Sequence, residues 1–356
     1  MRTTAVLKGA YTARIQDITE ALLDQLKASS ANCLAFEVSA EAYLSNITVS
    51  QLPVPIRRVG LRDWTLQVKT WLAARGLKML IYATPRWSVT GTMYTREGLV
   101  LMDKATQDLW VTNWKAVIAD LQPDAVCILN ECPDAYLAAQ PALTYDIYYN
   151  FALRCIDEFR TVKPNLDIHM TSMPFWDMTN IVTKPIPRPN IYYAFHFYLM
   201  KEGSVTHGYE QAYDAGSATA KDVLENWIFQ TCKVQAAINA GLNVSLIFGA
   251  DYRVPAYGYN NWDKFLIDTY SLAKVHQAES IFQAMFMTDT SDLGIYYGGM
   301  WNQAYTGLNP AGAIWLQQMP MIPITPPPPP IHVLVAAGKV IALLVAAILY
   351  AATRKR

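Results

Sequence analysis

Over residues 1–320 a short apolar run recurs eight times, and most of these runs are separated by longer stretches with helical spacing. The runs are TAVLKGAYT, NCLAFEVS, LKMLIYATPRW, DAVCILNE, LDIHMTSMPFW, NIYYAFHFY, LNVSLIFGAD and SIFQAMFMTD. Strands that read as continuous apolar runs are covered on both faces, and helical crossovers between them make the sheet parallel. The helical stretches include DITEALLDQLKASS, where Asp17 is the expected cap and Ile18, Leu22, Leu23 and Leu26 share one face. LRDWTLQVKTWLAARG stops at Gly76, SATAKDVLENWIFQTCKVQAAINAG reads as one long helix, and NPAGAIWLQQM as a closing one. Two architectures use such a pattern. A doubly wound open sheet would carry a glycine-rich phosphate loop after an early strand, and neither GxGxxG nor a P-loop is present. The expected fold is therefore α/β, a (β/α)8 TIM barrel over residues 1–320.

The C-terminus adds a second element. PITPPPPP (323–330) is a stiff spacer, because proline favours the extended polyproline conformation, and the linker is drawn at 321–332. Residues 333–353 are almost wholly apolar, and about 20 such residues cross a hydrocarbon core of roughly 30 Å as a helix. Lys339 interrupts the run, and its long stem can carry the charge outward. The basic tail 354–356 then belongs on the cytoplasmic side, which places the barrel outside the cell. MRTTAVLKGAY offers no apolar signal-peptide core. The expectation is a single-pass, membrane-anchored protein, either exported by a leader missing from this start or tail-anchored and facing the cytoplasm.

Composition excludes little. The chain carries 29 Lys+Arg and 29 Asp+Glu, without the basic excess expected of a nucleic-acid binder. Cys33, Cys127, Cys132, Cys155 and Cys232 contain no CxxC pair, so no metal site is expected, nor any cofactor. Cys127 lies inside a strand and reads as a small apolar filler. Many of the 10 Trp, 21 Tyr and 11 Phe are core, while those at strand ends can stack on sugar rings. Asn46 and Asn243 begin glycosylation sequons, tripeptides that arise often by chance.

In a parallel barrel the reacting groups gather where strands end. Those ends supply Glu37 (second strand), Trp87 (third), Asn130 and Glu131 (fourth), Trp176 (fifth), His196 and Tyr198 (sixth), Asp251 (seventh) and Asp289 (eighth). The set is rich in carboxylates and aromatics. Glycoside hydrolysis calls for two carboxyl groups across the scissile bond, with aromatic and polar groups to hold sugars. His169 falls within the fifth strand and reads as a buried barrel residue.

Asn130-Glu131, His196-Phe197-Tyr198 and an acid at the seventh strand's end, in that order, resemble the clan-A retaining glycoside hydrolases, in particular the family-5 cellulase and mannanase group. LKGAY and NPAGAIW are similar to the same group. The resemblance implies that Glu131 is the general acid/base, that Asn130 binds the sugar 2-hydroxyl, and that Asp251 stands at the nucleophile position. It implies that Tyr198 donates to that nucleophile, that His196 orients the carboxyl pair or the sugar, and that Trp87 and Trp176 stack on sugar faces. The chain departs from the group in three places. The nucleophile position is Asp251 where the family has Glu. The strand-two arginine is absent and Glu37 stands nearby. MFMTD replaces the strand-eight tryptophan. Glu37 and Asp289 are then candidates for an altered site. The resulting expectation is a membrane-anchored glycoside hydrolase acting on a β-linked polysaccharide or glycoconjugate; a catalytically degenerate barrel that binds carbohydrate is the alternative.

Overall fold

In a computed structural model of the 356-residue chain, the residues described are 7–12, 15, 18–46, 59–83, 103–128, 144–172, 179–199, 212, 216–231, 233–250, 262–275, 280–283, 289–291, 294–296 and 317. Eight parallel strands close into a ring in sequence order, β1 to β8, with β8 returning to pair with β1. They are β1 (Leu7–Thr12), β2 (Cys33–Val38), β3 (Lys78–Ala83), β4 (Ala125–Ile128), β5 (Asp167–Ser172), β6 (Ile191–Leu199), β7 (Asn243–Ala250) and β8 (Ser280–Gln283). The barrel expected from the alternating runs is present. Contacts divide the chain into Leu7–Ile322 and a second unit, Met1–Val6 with Pro323–Arg356, which lies outside the described residues. Among the described residues no helix is long and apolar enough to cross a membrane. The segment 333–353, the linker 321–332, the tail 354–356 and NPAGAIWLQQM, apart from Gln317, fall outside them.

Strand alternation sorts side chains into two layers. Leu34, Phe36, Met79, Ile81, Val126, Ile128, Ile168, Met170, Tyr193, Val244 and Leu246 face outward and join the helix faces in one core. The helices contributing to it include α1 (Glu20–Ala28), α3 (Leu61–Ala74), α4 (Lys104–Leu121), α5 (Tyr145–Val162) and α9 (Trp262–Val275). Each presents an i, i+3/i+4 stripe, such as Trp64, Val68 and Leu72 on α3, or Trp110, Trp114, Val117 and Leu121 on α4. Burying one such large side chain contributes about 1.5–3 kcal/mol. These tryptophans are core, as the composition led us to expect.

The other parity points into the barrel. Cys33, Ala35, Leu80, Tyr82, Ala125, Cys127 and Ala194 touch one another there as a separate cluster. The hydrogen-bond registers run Glu37–Tyr82–Cys127–His169–Tyr192–Asn243, so a single row descends from near the C-terminal end of β2 to the first residue of β7. Strand tilt lowers each neighbour by about one residue, and around eight strands the shear is about eight, that of a (β/α)8 barrel. Positions at one height therefore come from alternate strands. Cys33, Ala125 and Tyr192 lie low, Gly9, Leu80, His169 and Ser245 come next, and Ala35, Cys127 and Ala194 lie above them. At Gly9 a methyl group would stand 1.9 Å from the Cys33 carbonyl oxygen, so β1 and β2 approach as closely as they do only with glycine there.

Local structure departs from the sequence reading at several points. The cap of α1 is Thr19, whose hydroxyl accepts from the Leu22 N–H at 3.3 Å, and Asp17 lies outside the described residues. The long helix before β7 is broken. Its pieces are α7 (Ala220–Glu225), a π-helical turn at Asn226–Thr231, and α8 (Val234–Asn239) after Lys233, whose φ of 59° is left-handed. Two five-residue helices, α2 (Ala40–Leu44) and α6 (Thr179–Thr183), are additional. α3 ends as expected, with Gly76 at φ 62° just past its C-cap.

Candidate functional site

The C-terminal rim of the ring is where the strands release their loops. β4 is described to Ile128, two residues before Asn130, and β7 ends at Ala250, the residue before Asp251. Asn130, Glu131, Asp251, Trp87 and Trp176 themselves fall outside the described residues. His196 and Tyr198 occupy the sixth and eighth positions of β6, paired in register with Ile247 and Gly249 of β7, and only their backbone is described. Strands 4 and 7 are three apart in the ring of eight, so their C-terminal ends are separated by two intervening strands on one side and four on the other.

Asp289 requires a correction. It does not end a barrel strand, because β8 is described as Ser280–Gln283. Asp289 opens β9 (Asp289–Ser291), which pairs antiparallel with β10 (Gly294–Tyr296) in a two-stranded sheet of its own. The run SIFQAMFMTD reads as one strand because it is apolar almost throughout, while residues 284–288 between the two strands fall outside the described residues.

Glu37 is the one rim candidate whose side chain the structure describes. It is penultimate in β2, alternates with inward-facing Cys33 and Ala35, and is 3% exposed. Its register partner is Tyr82, buried in β3. Above the basal positions Lys78 and Asp167, Glu37 is the only charged side chain among the described inward positions. A carboxyl removed from water to this degree is held by hydrogen bonds or loses its charge.

Below Glu37 the barrel is filled. His169 is fully buried, with its ring stacked on Tyr192 at 4.9 Å between centroids and 15° between planes. Burial pushes its pKa down to about 3, so the imidazole is neutral at ordinary pH. Cys127 is buried among small apolar neighbours, a filler as its strand position indicates. At the N-terminal opening Asp167 is half-buried, and desolvation raises its pKa to about 6 against the pull of Lys78, Arg160 and Lys163. Nearby, the Asp124 carboxylate accepts from the Met79 N–H at 2.8 Å, and Lys163 holds the Gln122 and Pro123 carbonyls. These bonds tie loops to strands at this end, in line with the structural role of that end in such barrels.

The small side chains at the inward positions below Glu37 entered no site reading from sequence. Their signal is present, since Ala35, Glu37, Leu80, Tyr82 and Cys127 have one parity, but only the ring closure shows that this parity faces inward. Both sequon asparagines are used structurally. Asn46 Nδ2 donates to the Asp63 carboxylate at 3.1 Å while its Oδ1 accepts from the Arg62 N–H at 3.0 Å, and Asn243 Nδ2 donates to the Ile191 carbonyl at 3.0 Å.

Comparison with known proteins bears on the fold. No family model matches the sequence. Among curated proteins, none matches it. Solved structures do match the fold. A cellulase–inhibitor complex superposes with a TM-score of 0.65 at 12% identity, covering 88% of this chain and 92% of that one. A cellotetraose complex of an endocellulase from Pyrococcus horikoshii gives 0.62 at 12% over the same shares. An endo-1,4-beta-D-mannanase from Thermotoga petrophila gives 0.62 at 12%, covering 89% of this chain and 99% of that one. The chain thus has the (β/α)8 fold of cellulases and a mannanase. At this identity the likeness is one of architecture, and it involves the same enzyme group that the strand-end motifs resemble.

Proposed function

We propose that this protein is a membrane-anchored glycoside hydrolase that cleaves a β-linked polysaccharide or glycoconjugate, with Glu131 as general acid/base and Asp251 as its partner. The observation that supports this reading is the ring order. β4 leads to Asn130-Glu131 and β7 leads directly to Asp251, three strands apart around an eight-stranded mouth. Glu131 protonates the leaving oxygen and later takes a proton from water. Asn130 binds the 2-hydroxyl, Tyr198 and His196 orient the pair, and Trp87 and Trp176 hold sugar faces. Residues 333–353 form the anchor, 321–332 hold the barrel off the bilayer, and the 354–356 tail lies inside.

The chemistry turns on length. Asp withdraws its carboxyl by about 1 Å relative to Glu. Retaining enzymes separate the two carboxyls by about 5–5.5 Å and inverting ones by about 6.5–9.5 Å. The shorter acid moves the pair toward the wider geometry, in which a water fits between carboxylate and sugar. The same shortening favours a second reading, a barrel that binds glycan without cleaving it.

The deciding experiment compares the full chain with E131Q and D251N on cellotetraose and mannotetraose. Each substitution should lower turnover by about 10²–10⁴-fold, the contribution of a positioned acid or base. Wild-type rates in either variant would remove that residue from the machinery. Binding of a tetrasaccharide with no hydrolysis by wild type would establish the second reading. Resistance of the membrane-bound chain to an alkaline carbonate wash, lost on truncation after residue 320, tests the anchor.

A further inference from the structure

Helix α4 is apolar on two faces. Its inward stripe of Trp110, Trp114, Val117 and Leu121 belongs to the core. After Lys104, its exposed positions are Ala105, Leu109, Thr112, Ala116 and Ala119, and none of them is charged. The neighbouring helices show water the usual polar surface. α3 exposes Arg62, Asp63 and Gln67, and α5 exposes Asp146, Asn150 and Asp157. The outward positions of α4 are also regularly placed. They recur at alternating steps of four and three residues, the spacing that keeps one seam of a helix turned toward a partner helix. Small side chains along such a seam let two helix axes approach to the near end of their usual 8–10 Å separation. Charges border the seam on the side of α5. Asp108 is paired with Arg154, and seven residues further along Lys115 is paired with Glu158 at 2.7 Å. On the other border Asp120 is held by Arg62 at 2.7 Å.

We propose that a second copy of this chain packs on the outward face of α4, with the two helices antiparallel and the two-fold axis at Thr112. A two-fold contact uses one patch twice, so the patch must complement itself. This one does. Turning α4 end for end about Thr112 sets Ala105 against Ala119 of the second copy and Leu109 against its Ala116. In an antiparallel pair the same border of each helix meets its counterpart. Asp108 therefore faces Lys115 of the second copy, and Lys115 faces its Asp108. One layer further out, Arg154 and Glu158 meet in the same reciprocal way, so the signs alternate across the axis. On the other border Asp120 faces Thr106 of the copy, and no like charges oppose each other. Parallel packing would set Asp108 against Asn113 and leave that acid without a cation across the seam. Charges at a rim fix orientation more than affinity, and here they select the antiparallel arrangement.

The test uses the full-length chain in mild detergent, with its mass read by light scattering and its contacts by oxidative cross-linking. Wild type is expected at twice the mass of one chain at micromolar concentration. A116R puts a guanidinium into the seam at an exposed position, so its thermal midpoint should stay near that of wild type while its mass falls to that of one chain. Cysteine variants read the register without depending on A116R. T112C lies on the axis and should link to itself under copper phenanthroline, above the level that wild type shows with the same oxidant. A105C alone should not link, whereas A105C/A119C should. A single-chain mass for wild type at every concentration overturns the proposal. A doubled mass that A116R leaves intact also overturns it, because the contact then lies elsewhere, the apolar C-terminal segment included. Linking of A105C as fast as T112C would show parallel helices and overturn the antiparallel seam.

Discussion

His169 makes the structure's claim about the barrel interior measurable. Its imidazole is fully buried, stacked on Tyr192, with a pKa pushed down to about 3 from 6.5. The folded state therefore holds it neutral where the unfolded chain would protonate it. Its stabilising contribution is fully present above pH 6.5 and drains away as pH falls from 6.5 toward 3. Each unit is worth about 1.4 kcal/mol, so bringing the protein from pH 8 to pH 5 costs about 2 kcal/mol through this residue alone. Asp167, two residues away, acts in the opposite sense. Its raised pKa of about 6 means that folding becomes easier as it protonates on the way down. The comparison must therefore be differential. In H169F the ring contact with Tyr192 persists, the proton site is gone and Asp167 is unchanged. Urea midpoints of both proteins at pH 8 and pH 5 give the answer. With a slope of about 3 kcal/mol per molar urea, wild type should lose about 0.7 M more than H169F between the two conditions. Equal losses would refute a neutral imidazole sealed inside the barrel.

Two further outcomes follow from the backbone. Asn46 caps α3 from a distance, its Oδ1 accepting from the Arg62 and Asp63 N–H groups, because the N-cap residue Gly60 has no side chain to do so. N46A should cost about 1 kcal/mol, read as a drop of a few degrees in the thermal midpoint, and an unchanged midpoint would dismiss the cap. G9A drives a methyl group into the Cys33 carbonyl, whereas G76A meets nothing within 4 Å and suffers only from its positive φ. G76A should lose about 1 kcal/mol and G9A clearly more, in the 1–3 kcal/mol range of overpacking or beyond it. Equal melts would show that β1 and β2 can separate at no cost.

The barrel was legible because its strands are buried on both faces. LKMLIY and NIYYAF are then continuous apolar runs, and the helices between them keep a 3.6-residue stripe. Features set by local hydrogen bonding rather than burial were harder to read. Thr19 and Asp17 are both good caps, and the choice of Thr19 depends on which one lies three residues before a helical N–H. The π turn at Asn226–Thr231 and the left-handed Lys233 interrupt a sequence with no proline and no well-placed glycine, so periodicity alone runs straight through them. α2 and α6, at five residues each, are too short to show a period. Within the candidate site, the parity of Glu37 was readable from Cys33 and Ala35, but which parity faces the axis was not. Closure of the ring decides that, and closure is a long-range property of all eight strands.

The departures from the glycosidase pattern also differ in kind. Asp251 follows the last residue of β7 and falls outside the described residues. Glu37 lies within the wall. Its backbone is paired to β3 and its side chain is 3% exposed, so a charge there is tolerated only if its surroundings are built for it. A drifting, unused barrel would be expected to lose a buried carboxylate early, because replacing it with an apolar side chain of similar size relieves its desolvation at once. Glu37 stands beside Tyr82 in a barrel interior that also buries His169 and Ser245, so its carboxyl is one of several polar groups that the wall accommodates.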